Sequence, residues 1–157
     1  MTERLNNAGK ALKDHSIHLL YHNHNVELQK ITAEKTAHDI IIEGTKPEYV
    51  NFDFDSYWMV DGGAPVMQIM EKLGQRMKLW HITDRGCRQH GPYMTPILIE
   101  NTVELGTGNM DLDTLFEIAL KKGTKGIILE THKNWIDNDP IKSFQVSAEY
   151  LQKHFFH

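Results

Sequence analysis

Four short apolar runs in this chain each end abruptly in groups that chemistry uses, and this recurrence limits its fold more than any other feature. Ile17 to Leu20 leads into Tyr21-His22-Asn23-His24-Asn25-Val26-Glu27. Asn51-Phe52-Asp53-Phe54-Asp55, Lys78-Leu79-Trp80-His81-Ile82-Thr83-Asp84 and Ile127-Ile128-Leu129-Glu130-Thr131-His132 repeat the pattern. A buried strand has no packing reason to finish in imidazoles, carboxamides and carboxylates, because each needs a partner once covered.

Helical patterns separate the runs. Residues 2–14 carry Leu5, Ala8 and Leu12 on one stripe, with Thr2 placed to cap them. Lys30 to Glu43 reads as a second helix stopping at Gly44, with Pro47 just beyond. A strand from Tyr49 to Phe54 follows, then a helix opened by Pro65 with Val66, Ile69, Met70 and Leu73 on one face, then a strand from Met77 to Thr83. Asp111 caps a helix bearing Leu112, Leu115, Phe116, Ile118 and Ala119 that stops at Gly123. Gly126 to Glu130 is the fourth strand, and Ser143 is the expected cap of a last helix with Val146, Tyr150 and Leu151. Strands alternating with helices, and apolar enough to be covered on both faces, predict an α/β fold with a parallel sheet. In such folds reactive groups gather at the C-terminal ends of the strands. The long irregular stretch from Asp84 to Asn109 reads as a lid, with a small hairpin over Ile97 to Glu104.

A chain of 157 residues, 40% hydrophobic, makes one globular domain over 1–157. Its net charge of -4 provides no basic face for a phosphate backbone, which disfavours nucleic acid as a partner. The lone Cys87 has no internal disulfide partner, and the polar start Thr2-Glu3-Arg4 does not read as a leader, so the cytoplasm is the expected compartment. No apolar run approaches the roughly 20 residues of a membrane helix.

One residue from each strand end, Glu27, Asp55, His81 and Glu130, forms the candidate constellation. Carboxylates ~4 Å apart repel by about 4 kcal/mol at an effective dielectric of 20, so a convergent set calls for a cation. Three carboxylates and one imidazole suit Mn²⁺ first, with Mg²⁺, Co²⁺, Fe²⁺ or Zn²⁺ as alternatives. Taken singly, each of the four has an ordinary reading as a helix cap or a solvated loop group. By strand parity His22 and His24 share a face that Glu27 does not, so joining them requires a bend after His24. His22, His24, Trp58, Asp84 and Arg88 are the candidate substrate contacts, Trp58 because an indole suits a sugar's apolar face. Arg85 and Arg88 are candidates for an anionic substrate group, or solvated loop charges.

Tyr21-His22-Asn23-His24 with Glu27, Asp55 with Tyr57-Trp58 and Gly62-Gly63, Trp80-His81-Ile82-Thr83-Asp84, Glu104-Leu105-Gly106 with Gly108-Asn109, and Ile128-Leu129-Glu130 together resemble the sugar phosphate isomerase/epimerase family of xylose-isomerase-like barrels. The resemblance covers nearly the whole chain and implies a metal site on a (β/α)8 barrel, with ligands at Glu27, Asp55, His81 and Glu130. It also implies that Glu27 and Glu130 act on the substrate. Thr83 and His132 depart from the family's residues at those positions, where Lys and an acidic or amide side chain are common. Length departs further, since a full barrel takes about 250 residues. The resemblance aligns this chain with the second half only, strands five to eight.

Three functions follow as expectations. The first is a metal-dependent isomerase or epimerase of a small carbohydrate, with Glu27 and Glu130 moving a proton beside a carbonyl. A sugar or inositol dehydratase is a close variant. The second is a non-catalytic metal-binding half-barrel. Phosphodiester cleavage, the third, would need more ligands and a basic groove. Four strands cannot close a barrel, so a homodimer is expected, with both halves completing eight strands and covering an inner face rich in Ile, Leu and Phe.

Overall fold

The computed structural model describes residues 1–86 and 101–156 of the chain. Its strands are β1 (Leu19–His22), β2 (Val50–Asp55), β3 (Met77–Ile82), β4 (Asp84–Arg85), β5 (Thr102–Val103) and β6 (Gly126–Leu129). The helices are α1 (Thr2–Lys13), α2 (Ala37–Gly44), α3 (Ser56–Asp61), α4 (Val66–Leu73), α5 (Leu112–Lys122) and α6 (Pro140–Phe155). Four strands form an open parallel sheet in the order β1-β2-β3-β6, and β4 pairs with β5 in a separate antiparallel ladder. This is the α/β half-barrel that the sequence predicts.

Side-chain alternation decides which groups reach the site. Phe52, Phe54, Trp80 and Ile82 point toward the helices and are fully buried against Ile41, Met59, Met70, Leu73 and Leu115. Each such burial contributes about 1.5–3 kcal/mol, so a slip of one residue, which would turn all of them outward, is strongly disfavoured. The same register therefore turns Asp53, Asp55 and His81 to the opposite face. Cα partners His22 with Asp53, Asp55 with His81, and His81 with Ile128 align the strand ends on that face. The open face is thus more polar than the sequence predicts: Leu20, Leu79 and Ile128 lie among His22, Asn51, Asp53, Asp55 and His81, and the phenylalanines face the helices.

Several elements differ locally. β1 takes in the polar Tyr21 and His22, beginning at Leu19 instead of Ile17. α2 starts only at Ala37, because Thr36 and Asp39 cap it reciprocally: Thr36 Oγ1 accepts from the Asp39 N–H at 3.1 Å, and Asp39 Oδ2 accepts from the Thr36 N–H at 3.0 Å. α3, six residues and too short to show a helical period, starts immediately after β2 with Asp55 accepting from the Trp58 N–H at 3.2 Å. α6 is capped by Asp139 and opened by Pro140; Ser143 lies inside it and is buried. Of the hairpin expected over Ile97 to Glu104, residues 97–100 lie outside the described residues, and β5 in the remainder pairs with β4. Among the described residues no helix is long and apolar enough to cross a membrane.

Candidate metal and substrate site

The site is built where β1, β2, β3 and β6 end. His22, the last residue of β1, turns to the open face, and the next residue, Asn23, is fully buried. The Asn23 carboxamide donates to the Asp55 carbonyl at 2.9 Å and accepts from the Asp55 N–H at 3.0 Å, which fixes the end of β2 against that of β1. Asp55 leaves β2 as the cap of α3. His81 comes from β3 at the same level, and Glu130 follows β6, with the Thr83 hydroxyl donating to its carbonyl.

One ligand atom from each of His22, Asp55, His81 and Glu130 lies within 4.8 Å of the others. His81 stands between two carboxylates: Nδ1 is 2.6 Å from Glu130 Oε2 and Nε2 is 3.0 Å from Asp53 Oδ2. Glu130 Oε1 is 2.7 Å from His132 Nε2. His22 Nδ1 is buried with no hydrogen-bond partner among the described residues, and lies 3.8 Å from Asp53 Oδ2. The imidazole rings of His22 and His81 sit 4.5 Å apart, and Trp58 stands between His24 and His132 at 5.3 and 6.2 Å.

Burial pushes Asp55 up to about 7, against the pull of the Trp58 N–H and of His81. His22 is held below its ordinary value by burial first and then by the charge of His81. Burial acts to raise Glu130, but its hydrogen bonds to His132 and His81 outweigh that and the net shift is downward. The donor set fits a divalent cation. A buried carboxylate that resists ionisation and a buried imidazole nitrogen without a partner are both relieved by one positive ion placed among them.

Asp55, His81 and Glu130 therefore come together, but the group contains His22 where the sequence suggests Glu27. The chain does bend after His24, into a single 3-10 turn over Asn25–Leu28. That turn brings Glu27 back toward Tyr21, whose ring packs on the helix side of the sheet. Glu27 Oε1 accepts from the Tyr21 hydroxyl at 2.8 Å, and Oε2 accepts from the His24 N–H at 2.8 Å. His24 and Trp58 line the rim. Asp84 does not face it: fully buried, its carboxylate accepts from the N–H groups of Arg85, Gly106, Gly108 and Met110 at 2.8 to 3.1 Å. The three bonds from Gly106, Gly108 and Met110 fold residues 106–110 back onto β4, so a substrate contact at Asp84 is replaced by a structural one. Gly108 is required there, since a Cβ would lie 2.3 Å from Asp84 Oδ1. Arg85 Nε is 3.5 Å from Asp61 Oδ1, and Arg88 lies outside the described residues.

A family model described as xylose isomerase-like TIM barrel matches residues 1–154. The chain belongs to that family. Within the xylose isomerase-like barrels it is 29% identical over 162 residues to an inosose dehydratase of Mesomycoplasma hyopneumoniae (strain 7448), covering 97% of this chain and 53% of the relative. Its fold superposes on a sugar phosphate isomerase/epimerase from Parabacteroides distasonis ATCC 8503 with a TM-score of 0.80 and 26% identity, covering 99% of this chain and 51% of that one. An IOLI protein solved with a zinc atom shares the fold at a TM-score of 0.71 and 14% identity, covering 99% of this chain and 56% of that one. The chain spans about half the length of the relatives it matches.

Asn23, Asp53 and His132 contact the site without having been singled out as site residues in the sequence. Parity alone could have found Asp53, two residues before Asp55 and hence on the same face of β2. Asn23 carried a signal too, as the buried-side neighbour of two histidines that face the other way.

Proposed function

We propose that this chain carries the metal-binding and acid–base half of a divalent-metal-dependent sugar isomerase or epimerase. The observation that carries the reading is the convergence of His22, Asp55, His81 and Glu130 at the ends of four adjacent parallel strands, beside an indole wall at Trp58. Two imidazoles and two carboxylates suit Mn²⁺, Fe²⁺, Co²⁺ or Zn²⁺ better than Mg²⁺, and Mn²⁺ is the ion to test first. A divalent cation, when bound, supplies positive charge to the oxygens of an α-hydroxy carbonyl and to the negative charge that develops as the α-proton leaves.

Glu130 and Glu27 are the proposed proton-handling pair. β6 and β1 are the outermost strands of the sheet, so a Glu27 released from Tyr21 and His24 would reach a substrate from the side opposite Glu130. Glu130 is held ionised by His81 and His132, and His132 gives a removed proton a route toward solvent. Glu27 enters the reaction, or joins the cation as a ligand, by giving up the Tyr21 hydroxyl and the His24 N–H. Trp58, between His24 and His132, offers a flat apolar surface to a small carbohydrate. A dehydratase is the second reading, favoured by the 22–29% identity to inosose dehydratases. There the same proton leaves, and a hydroxyl on the adjacent carbon departs as water with a proton from His132 or His24.

The test is α-proton exchange in D₂O. The chain with Mn²⁺ is incubated with a panel of ketoses, ketose phosphates and inososes and followed by proton NMR. Loss of an α-proton signal is expected, abolished by Glu130→Gln and by Glu27→Gln. An enone product in place of an exchanged substrate assigns the dehydratase reading, and no exchange or product with any member of the panel overturns both.

A further inference from the structure

Asp53 belongs to no part of the proposed proton transfer, yet it meets His81 on Nε2, while Nδ1 meets Glu130, a member of the candidate ligand cluster. A neutral imidazole has one N–H and one lone pair, so His81 can donate to only one of its two carboxylate neighbours. The surroundings of the carboxylates decide which. Among the described residues His81 is the one hydrogen-bond partner of the Asp53 side chain, at 3.0 Å, and its Oδ1 is buried without a partner. Glu130 has a second partner in His132, and belongs with Asp55 and His22 to the candidate ligand cluster. An N–H on the Asp53 side satisfies a carboxylate that has nothing else. The opposite choice leaves the half-buried Asp53 with no side-chain donor at hydrogen-bond distance among the described residues, and puts the ring proton on the side of the candidate ligand Glu130.

We propose that Asp53 is a positioning residue that fixes His81 as the Nε2–H tautomer and so aims the Nδ1 lone pair at the cluster. The inference rests on the metal reading above for its purpose, but not for its geometry. Carboxylates that hold the far nitrogen of a ligating histidine orient the ring and raise its basicity, and losing one typically lowers metal affinity by about 10–100-fold.

The experiment uses ¹⁵N-labelled histidine in the whole chain, with tautomers read from long-range ¹⁵N–¹H correlations in the metal-free protein at alkaline pH. The wild-type His81 ring is expected as Nε2–H. In Asp53→Ala the remaining acceptor is Glu130, so the ring should turn over to Nδ1–H, whereas Asp53→Asn keeps an acceptor oxygen and should keep the wild-type tautomer. Zn²⁺ affinity, measured by chelator competition, should fall about 10–100-fold in Asp53→Ala and less in Asp53→Asn. A wild-type Nδ1–H ring, an identical tautomer in wild type and the alanine variant, or unchanged Zn²⁺ affinity in that variant overturns the proposal. If the wild type binds no Zn²⁺, the coordination reading fails and the tautomer comparison alone decides this one. Should Asp53→Ala not fold, the wild-type tautomer and the Zn²⁺ affinity of Asp53→Asn decide, an unchanged affinity counting against it.

Discussion

Asn23 and Asp55, 32 residues apart, are joined twice through one carboxamide, which donates to the Asp55 carbonyl and accepts from the Asp55 N–H. The pair ties β1 to the far end of β2 at the level of the candidate ligands. Asn23→Leu removes a donor and an acceptor at once and leaves two buried backbone groups unmet, so a loss of about 3 kcal/mol in unfolding free energy is expected. Urea unfolding measures it. Because the same bonds place Asp55, Mn²⁺ affinity should fall as well, whereas a substitution at exposed Glu48 should change neither.

Asp84 is a second buried anchor. Four backbone N–H groups converge on its carboxylate, and bonds to an ionised acceptor contribute more than neutral ones. Asp84→Ala orphans all four and should cost about 3 kcal/mol or more, with faster proteolytic nicking between residues 101 and 110. Gly108→Ala should do the same through the steric clash with Asp84 Oδ1. Intact melting temperature and protease resistance in both variants would remove the anchor from the account.

Apart from the short α3 and β4, element type and order were legible because Phe52, Phe54, Trp80 and Ile82 leave the strands one register that buries them, and Asp111, Pro65 and Gly123 mark helix ends unambiguously. Asp55, His81 and Glu130 could be read as neighbours for the same reason: parallel strands of one sheet end on one rim. Glu27 could not. Its position depends on a four-residue turn, and whether that turn aims the carboxylate at the cluster or at Tyr21 is decided by a hydroxyl and one N–H, which leave no periodicity in the sequence. Asp84 misled for a related reason, since a carboxylate collecting the N–H groups of a distant loop looks the same in sequence as one facing a ligand.

His38 sets an acid limit on stability. It is nearly fully buried, packs on the rings of Phe52 and Phe54, and has an unpartnered Nε2 among the described residues. Burial lowers it from 6.5 to about 4, with Asp39 and Glu27 pulling upward and Lys72 downward. A depressed folded value means that the unfolded chain binds the proton first as pH falls. The stability held at pH 7 is therefore lost between about 6.5 and 4, by roughly 3 kcal/mol at 1.36 kcal/mol per unit. His38→Leu should remove that share of the slope, so the difference in unfolding free energy between variant and wild type grows in the variant's favour as pH falls through this window. A parallel pair of stability curves, or an NMR titration that charges His38 near 6.5, would contradict the assignment.

Assembly is the last expectation. Among the described residues β1 pairs only with β2 and β6 only with β3, so the sheet has two open edges. A two-fold pair of chains would bring four strands from each copy, the eight that a closed barrel takes. The open face adds a condition. It presents Asp53, Asp55 and the nearby Glu130, so closing two copies over it brings like charges together, and a cation at each cluster offsets that repulsion. A homodimer closed through this face should therefore depend on metal. Sedimentation velocity at micromolar concentration should show a dimer in Mn²⁺ that dissociates when EDTA removes the ion, and mixed edge contacts should weaken further on placing a lysine at Leu20. A dimer indifferent to EDTA would assign the contact to the helices instead of the sheet. A monomer under both conditions would sink the homodimer altogether.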